Sequence, residues 1–338
     1  MAEAGSRSGR RWLLVPLVLA VVAATAWCAY WFIARDRLLS EFDRVVAAQE
    51  ADGRRVEFSS RKVEGFPFRL KLVLRQARVS SPSGWALRAP ILEAQANAYR
   101  LTRWVAVAPE GVVVTRPEAG PLHVQAKVLR ASLVAQGQGL PRIAIEGVDL
   151  RFVPLEGGEP FLLAGAERVE FHLRPAEDGD AGLLFRVRGG QPRPAGLMAF
   201  VSGAQPTNFV WDARLTDVAA LRGDTWAEAL RGWTQAGGRM EVTSASLQAG
   251  DLRAQNKGGV LSVGRDGRLR GRLNVMMNRP LQALAAFGLI EQTDPNALGA
   301  ATAVARAGGE ANVEMALGFE AGQFTVGPVA VGPAPKLF

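Results

Sequence analysis

The hydrophobic positions of this chain follow three patterns along its length. The first pattern is an unbroken apolar stretch, residues 12–34, which contains no charged residue. At 1.5 Å per residue, a helix over this stretch is long enough to cross a hydrocarbon core of roughly 30 Å. The stretch therefore predicts a transmembrane helix over 12–34.

The arginines on the two sides of this helix predict its orientation. Arg7, Arg10 and Arg11 outnumber the arginines immediately beyond the helix. Because short cytoplasmic segments carry the excess of basic residues, residues 1–11 are expected to form a cytoplasmic tail. Residues 35–338 are then expected outside the cytosol.

The apolar stretch has two other interpretations besides a retained anchor. Residues 24–26 have the small-x-small form of a cleavage site, which would make the stretch a cleaved signal peptide. The stretch continues through residues 31–33, beyond the roughly 7–15 residues of a signal-peptide core, and this favours a retained helix. Cys28 suggests a lipidated cysteine, but the bulky Trp27 precedes it. We interpret Cys28 as an apolar thiol within the span.

The second pattern has helical spacing. Leu38, Phe42, Val45 and Val46 recur with charged residues between them, and Gly53 supplies a stop. Residues 35–53 are therefore predicted to form a juxtamembrane amphipathic helix that continues from the span.

The third pattern is alternation of apolar and polar residues with a period of two, which begins at Val56 and is most regular over residues 68–75. The other predicted strands are 87–98, 112–114, 122–129, 143–152, 169–173, 183–187, 240–247, 252–255, 259–263, 269–277, 313–319 and 323–331. Short turn segments separate the strands, so sequential strands are expected to be neighbours. The predicted fold is α+β and mainly β, with a long curved antiparallel sheet built as a meander after the transmembrane helix.

Three short helices interrupt the strands, at 217–234, 280–290 and 295–306. The composition also shifts to Gly, Pro and Ala around 189–206, which suggests a boundary. The predicted organisation is a cytoplasmic tail 1–11, a transmembrane helix 12–34, a juxtamembrane helix 35–53, an N-terminal β-rich half 54–200, and a C-terminal β-rich half with helices 201–338.

Composition narrows the classes of function. The formal net charge is +8, and the only cysteine is Cys28, so no disulfide or cysteine-ligated metal is expected beyond the span. The arginines stand singly between apolar residues, whereas a nucleic-acid binder clusters them with aromatic residues. We expect no nucleic-acid partner. The positive excess suits an anionic membrane surface, or belongs to solvated strand faces.

Candidate chemistry is sparse. His123 and His172 each stand alone on a predicted strand, opposite the predicted core face, and a zinc site needs three or four converging ligands. No nucleophile elbow or phosphate-binding glycine loop is present. The acidic cluster 177–180 lacks the remaining ligand of a calcium loop and is interpreted as a solvated turn. We predict no catalytic residue, no metal site and no cofactor, and we do not expect an enzyme.

The most distinctive short segment is Gly65–Leu70, an aromatic-Pro-aromatic turn that leads into the most regular strand. Pro67 suits the beginning of a strand because it lacks an N–H donor. The turn is interpreted either as a plug at one end of the sheet or as part of an apolar groove. The candidate groove residues are Phe66, Phe68, Leu70, Leu72 and Leu74.

These features resemble the domain of unknown function 2125 family, common in alphaproteobacteria. The resemblance rests on the N-terminal anchor, on Gly65–Leu70, on the strand 267–273 before Pro280, and on the closing segments 327–329 and 333–338. It implies a protein of the bacterial inner membrane that faces the periplasm, and it supplies no activity or catalytic residue. A weaker resemblance connects the chain to AsmA-type envelope proteins, whose curved sheets are associated with lipid movement.

The sequence thus leads to one functional hypothesis and one alternative. The hypothesis is a non-enzymatic, membrane-anchored protein that binds phospholipid or another apolar envelope component on a curved sheet. The alternative is an envelope scaffold with a closed core that recruits partner proteins. An outer-membrane barrel, suggested by the terminal Phe338, conflicts with the apolar anchor and the interspersed helices.

Overall fold

The protein is described here by a computed structural model that covers residues 15–337 except 136–139, 177, 195–198, 200–201, 223–225, 279–312 and 327–328. Its first element is one continuous helix, α1 (Val15–Ala51), which joins the predicted span and the predicted juxtamembrane helix. At 1.5 Å per residue α1 is about 55 Å long, well beyond one hydrocarbon core. Among the described residues it is the one helix that is long and apolar enough to cross a membrane.

Within the described residues, eighteen strands follow α1 and confirm the mainly antiparallel meander. The first nine strands are β1 (Arg55–Glu57), β2 (Ser60–Glu64), β3 (Arg69–Ser80), β4 (Ala86–Asn97), β5 (Arg100–Val107), β6 (Val112–Arg116), β7 (Gly120–Gln125), β8 (Val128–Val134) and β9 (Arg142–Pro154). The other nine are β10 (Leu163–Pro175), β11 (Ala181–Pro192), β12 (Thr207–Leu215), β13 (Met240–Ala249), β14 (Leu252–Val263), β15 (Leu269–Met277), β16 (Val313–Glu320), β17 (Gln323–Val326) and β18 (Val329–Pro333). Between β12 and β13 lie a 3₁₀ helix (Val218–Ala220) and α2 (Trp226–Gln235).

The strands form one sheet whose order follows the chain almost throughout. Short strands share a position near its start: β1 and β2 both pair with β3, and β5 and β6 both pair with β4. β5 then pairs with β8, and β6 pairs with β7. Both β7 and β8 pair with β9. From β9 to β18 each strand pairs with the next.

The polar face of the sheet carries a network of ion pairs. Glu146 on β9 lies 2.5 Å from Arg130 on β8 and 3.3 Å from Arg168 on β10. Glu170 on β10 lies 3.6 Å from Arg186 on β11. Because cross-strand neighbours of opposite charge stabilise a sheet, arginines that look scattered in the sequence are neighbours in space. The arginine side chains of the network are about one third to over one half exposed, whereas those of Glu146 and Glu170 are 15 % exposed.

Several predicted boundaries were wrong. The strand predicted over 122–129 is divided into β7 and β8, which pair with separate parts of β9 on either side of Asp149, whose φ is 51°. The two strands predicted over 252–263 are one strand, β14, with an irregularity at Gly258 and Gly259, whose φ angles of 132° and 158° suit glycine. The strand predicted over 323–331 is divided into β17 and β18, and strands β2, β5 and β12 were not predicted.

Only one of the three predicted short helices falls within the described residues. The helix predicted over 217–234 is interrupted: a 3₁₀ turn follows Asp217, whose φ is 52°, and α2 begins at Trp226. The helices predicted over 280–290 and 295–306 lie outside the described residues. The predicted hairpin turn at Asp266 is confirmed, and the backbone N–H of Arg268 donates to this carboxylate, which lowers the pKa of Asp266.

The acidic turn between β10 and β11 is only partly solvated. The side chain of Asp178 is 82 % exposed, as predicted, but that of Asp180 is 11 % exposed. Asp180 accepts hydrogen bonds from Arg214 Nε at 2.6 Å and from the backbone N–H of Asp217 at 3.1 Å. The hydrogen bond to Asp180 raises the pKa of Arg214. Asp180 thus joins the turn to β12, so its solvation was predicted wrongly.

We expect Asp180→Ala to lower the free energy of unfolding by about 1–3 kcal/mol, because it removes the buried carboxylate that accepts hydrogen bonds from Arg214 and from the backbone N–H of Asp217. The matched control is Asp178→Ala, which removes an exposed carboxylate 3.7 Å from the same arginine and should change stability by about 0.5 kcal/mol or less. Denaturant unfolding of the full chain in detergent measures both values. Equal losses in the two variants would contradict this account.

Candidate functional site

One row of residues crosses nearly the whole sheet on a single face. Each member lies directly opposite the next on the neighbouring strand, and directly opposite residues of an antiparallel pair share a face. The row, here called the apolar row, is Leu72, Ala94, Ala106, Ala131, Ile145, Phe171, Phe185, Trp211, Ala245, Asn256, Val275 and Met315. Asn256 is the only polar residue of the row, so the row lies on the apolar face of the sheet.

The first strands of this face are covered by α1. Leu70, Leu72 and Leu74 are 0 %, 6 % and 8 % exposed, and they belong to two clusters that also contain Trp31, Leu38 and other α1 residues. These three predicted groove residues are therefore packed between the sheet and α1. They lie on the same face as the apolar row, but at its covered end.

Phe66 and Phe68 lie at the tip of the β2–β3 turn and are 51 % and 63 % exposed. The peptide bond between Phe66 and Pro67 is cis. The Phe66 ring lies 5.4 Å from that of Trp31, and the Phe68 ring lies 6.4 Å from that of Trp27. The turn therefore packs against α1 while both rings keep an open side.

At the other end of the sheet the apolar face forms a pocket of about 420 Å³, here called the C-terminal pocket. This volume falls within the roughly 300–1,000 Å³ range of ligand pockets. None of the five predicted groove residues lines it. The lining residues are Phe209, Trp211, Ala245, Ser246, Leu247, Ala254, Asn256, Leu261, Leu269, Leu273, Val275, Leu317, Phe319, Phe324, Pro333 and Pro335.

Curvature of the sheet creates this pocket. β12 and β17 are five strand positions apart, or about 24 Å in a flat sheet, yet Trp211 and Phe324 line the same pocket. The chain after β18 returns to β15, where the N–H of Leu269 bonds to the carbonyl of Pro335 at 2.9 Å. The last strands therefore fold over the apolar face instead of continuing away from it.

A second, smaller pocket of about 150 Å³ adjoins the first and shares Leu261 and Leu269 with it. Leu230 and Trp233 of α2 form its other side, and Trp233 Nε1 donates to the carbonyl of Thr216 at 2.6 Å. Helix α2 therefore covers the apolar face next to the larger pocket, where it packs on β14.

The pocket presents no charged group among its lining residues. Its one amide, Asn256, donates from Nδ2 to the carbonyls of Gly258 and Asn274 at 3.0 and 2.9 Å, and its Oδ1 accepts from the Gly258 N–H at 2.8 Å. These bonds use both amide donors of Asn256. The side chain therefore stabilises the irregularity in β14 and has no free N–H donor for a ligand. The lining suits an apolar chain and supplies nothing for acid–base chemistry.

Between the covered end and the pocket, the apolar face is partly open. On β8 and β9, Leu133 and Ile145 are 40 % and 42 % exposed, and Ala106 and Ala131 of the apolar row are half-buried. Trp104 on β5 packs at the edge of the α1 cluster. This stretch from Trp104 to Ile145, here called the open strip, connects the α1 end of the face to the pocket end.

The remaining sequence candidates lie apart from this face. His172 pairs with Ala144 and Leu184 on the polar face, and His123 pairs with Val153 opposite buried neighbours, which confirms the predicted placement of both. In the described part of the chain, no three His, Cys, Asp or Glu side chains are grouped to hold a metal ion.

Sequence reasoning missed the pocket residues as a group. A signal existed in β12, where Phe209, Trp211, Ala213 and Leu215 alternate, but the preceding Gly- and Pro-rich segment was treated as a boundary. The convergence of this strand with β17 depends on sheet curvature, and no local pattern encodes that curvature.

We expect Leu72→Ala to lower the free energy of unfolding by about 2–5 kcal/mol, because it opens a cavity between β3 and α1. Phe68→Ala, which removes an exposed ring from the neighbouring turn, should cost about 1.5 kcal/mol or less. Denaturant unfolding in detergent compares the two variants. An unchanged stability for Leu72→Ala would instead place Leu72 in an open groove.

Comparison with known proteins identifies the family. A family model described as "Uncharacterized protein conserved in bacteria (DUF2125)" matches residues 31–335. No curated protein and no solved structure matches the chain. The resemblance to AsmA-type proteins and the alphaproteobacterial distribution therefore receive no support from these comparisons. The match extends from the C-terminal half of α1 to the segment beyond β18, and the chain belongs to the DUF2125 family of uncharacterized bacterial proteins.

Proposed function

We propose that this protein is a non-enzymatic, membrane-anchored lipid-binding protein that holds an acyl chain of a membrane phospholipid in the C-terminal pocket. The observation that carries the proposal is the apolar row, which is continuous from the strand beneath α1 to the pocket. One end of the row thus adjoins a helix that is apolar enough to lie in a bilayer, and the other end adjoins an open cavity.

The chemistry of the lining supports an acyl chain as ligand. Burial of apolar surface contributes roughly 25 cal/mol per Å² and requires no specific polar partner. The lining is built from Leu, Val, Ala, Pro and aromatic side chains, and its only amide is engaged in bonds to the backbone. A phospholipid headgroup would have to remain outside the pocket, because no charged residue lines it.

The openness of the face favours ligand binding over the scaffold alternative. A protein that only recruits partners needs a filled core, whereas this face retains a 420 Å³ pocket and the exposed Leu133 and Ile145. Large apolar surfaces left open on a soluble domain mark sites of interaction. We place the domain in the periplasm, with α1 in the inner membrane and residues 1–11 in the cytoplasm, from the arginines before the apolar stretch.

We expect the full chain, extracted in detergent and analysed by native mass spectrometry, to retain phospholipid at a defined stoichiometry. Ala245→Trp should reduce the retained lipid severalfold, because an indole at the centre of the lining occupies the space of the chain. The matched control is Ser244→Trp on the adjacent position, which is exposed on the opposite face and should retain lipid like the unmodified protein.

Stability distinguishes a filled pocket from a damaged fold. Since Ala245→Trp fills a cavity, its thermal unfolding midpoint without lipid should stay the same or rise. If that midpoint falls strongly, the lipid loss cannot be attributed to a filled pocket. A photoreactive residue at position 245 therefore supplies a second readout in intact cells, with the same residue at position 244 as its control. Lipid adducts are expected at position 245 and not at position 244. Lipid adducts at position 244 and none at 245, or no lipid in any preparation, would refute the proposal and favour the scaffold.

The orientation gives a separate prediction. A reporter enzyme that is active only outside the cytoplasm should be active when fused after β18, and a reporter active only in the cytoplasm should be inactive there. Replacing Arg7, Arg10 and Arg11 by Glu should reduce the first activity, because it removes the basic residues that hold the tail inside. The opposite pattern of activity would show that the domain is cytoplasmic.

A further inference from the structure

The turns at one end of the sheet are held against the apolar part of α1. Trp27 Nε1 donates to the carbonyl of Pro67 at 2.9 Å, and Trp31 Nε1 donates to the carbonyl of Arg69 at 2.9 Å. Tyr30 Oη donates to the carbonyl of Ala98 at 2.8 Å, in the turn between β4 and β5. Three aromatic side chains of α1 therefore fix the level of this end of the sheet along the helix.

That level lies within the apolar stretch. If the hydrocarbon core ended before Trp27, only residues 12–26 would remain to cross it, about 22 Å of helix where roughly 30 Å is needed. The bilayer must therefore extend past Trp27 if α1 spans it. The turns bonded to Trp27, Tyr30 and Trp31 then lie at bilayer depth.

Three aromatic side chains of these turns are more than half exposed. Phe66, Phe68 and Tyr99 are 51 %, 63 % and 68 % exposed. Aromatic side chains are enriched where a membrane protein meets the interface of the bilayer. Exposed Arg69 and Arg100 flank the turns, and such long basic side chains reach from the interface to the phosphate groups.

Several backbone carbonyls of these turns receive hydrogen bonds from within the protein. In hydrocarbon, a carbonyl with no donor costs several kcal/mol, so irregular backbone must be satisfied from within the protein. The carbonyls of Pro67, Arg69 and Ala98 receive the three α1 donors. The carbonyl of Phe68 accepts the N–H of Ala98 at 2.9 Å, and Pro67 has no N–H to satisfy.

We propose that the β2–β3 and β4–β5 turns form a second membrane contact, in which Phe66, Phe68 and Tyr99 insert into the same bilayer leaflet that α1 leaves. The partner of this surface is the interfacial and upper hydrocarbon region of a phospholipid bilayer. The inference requires α1 to span the membrane, but it does not depend on a ligand in the C-terminal pocket. It fixes the sheet on the membrane by its end, with β3 and β4 directed away from the surface.

The test is a comparison of depth at the two ends of the same strand pair. In full-length protein with Cys28→Ala, an environment-sensitive fluorophore is attached through Phe68→Cys or Tyr99→Cys. The matched control is Trp85→Cys, which is 51 % exposed in the β3–β4 turn. The control lies at the opposite end of β3, roughly 36 Å away at about 3.3 Å per residue. The protein is reconstituted in vesicles of phosphatidylcholine and phosphatidylglycerol.

We expect the labels at positions 68 and 99 to show blue-shifted emission and to be quenched severalfold more by nitroxide-labelled lipid than by aqueous iodide. The label at position 85 should show the reverse preference. The proposal is overturned if the labels at 68 and 99 respond to both quenchers as the label at 85 does. Circular dichroism confirms that each labelled variant is folded, and lipid retention by native mass spectrometry reports separately on the pocket.

Discussion

The rule that directly paired residues share one face governs the architecture of this protein. Alternation within each strand places apolar residues on that face, and the register of successive pairs joins them into one row from Leu72 to Met315. A single sheet has no second sheet to cover such a face, so every other element serves as cover. The opposite face needs none, because cross-strand ion pairs such as Arg130–Glu146 face solvent there.

The cover consists of three parts and is incomplete. Helix α1 covers β3 and β4, helix α2 covers one edge near β14, and the last strands curl back so that the segment after β18 returns to β15. What remains uncovered is the open strip on β8 and β9 and the C-terminal pocket. Both proposals are drawn from this arrangement, since the covered end lies against α1 and the open remainder leads away from it.

Local sequence patterns predicted those elements whose environment is uniform along the strand. β15 and the first half of β3, residues 69–74, alternate cleanly because one side of each strand is covered and the other is more exposed. β5 escaped prediction because Val105 and Val107 lie on the polar face beside apolar-face Trp104, which removes the alternation. The sequence predicts a solvated turn at Asp180 because its partner, Arg214, lies 34 residues further along the chain, on the neighbouring strand.

The five predicted groove residues show where such reasoning stops. Their alternation placed Leu70, Leu72 and Leu74 on the apolar face, and the same pattern arises for a residue packed beneath a helix and for one that lines a cavity. Their burial against α1 and the exposure of Phe66 and Phe68 depend on contacts between residues some thirty or forty positions apart, such as Trp27 with Pro67.

The sequence by itself determined the long apolar helix at the start of the chain and the meander of alternating strands, because both depend on residue type and local spacing. Tertiary structure decided the register that joins the apolar residues into one row, the curvature that brings β12 beside β17, and the depth at which the turns meet α1. These depend on hydrogen bonds and packing between residues far apart in the chain, which local periodicity does not specify.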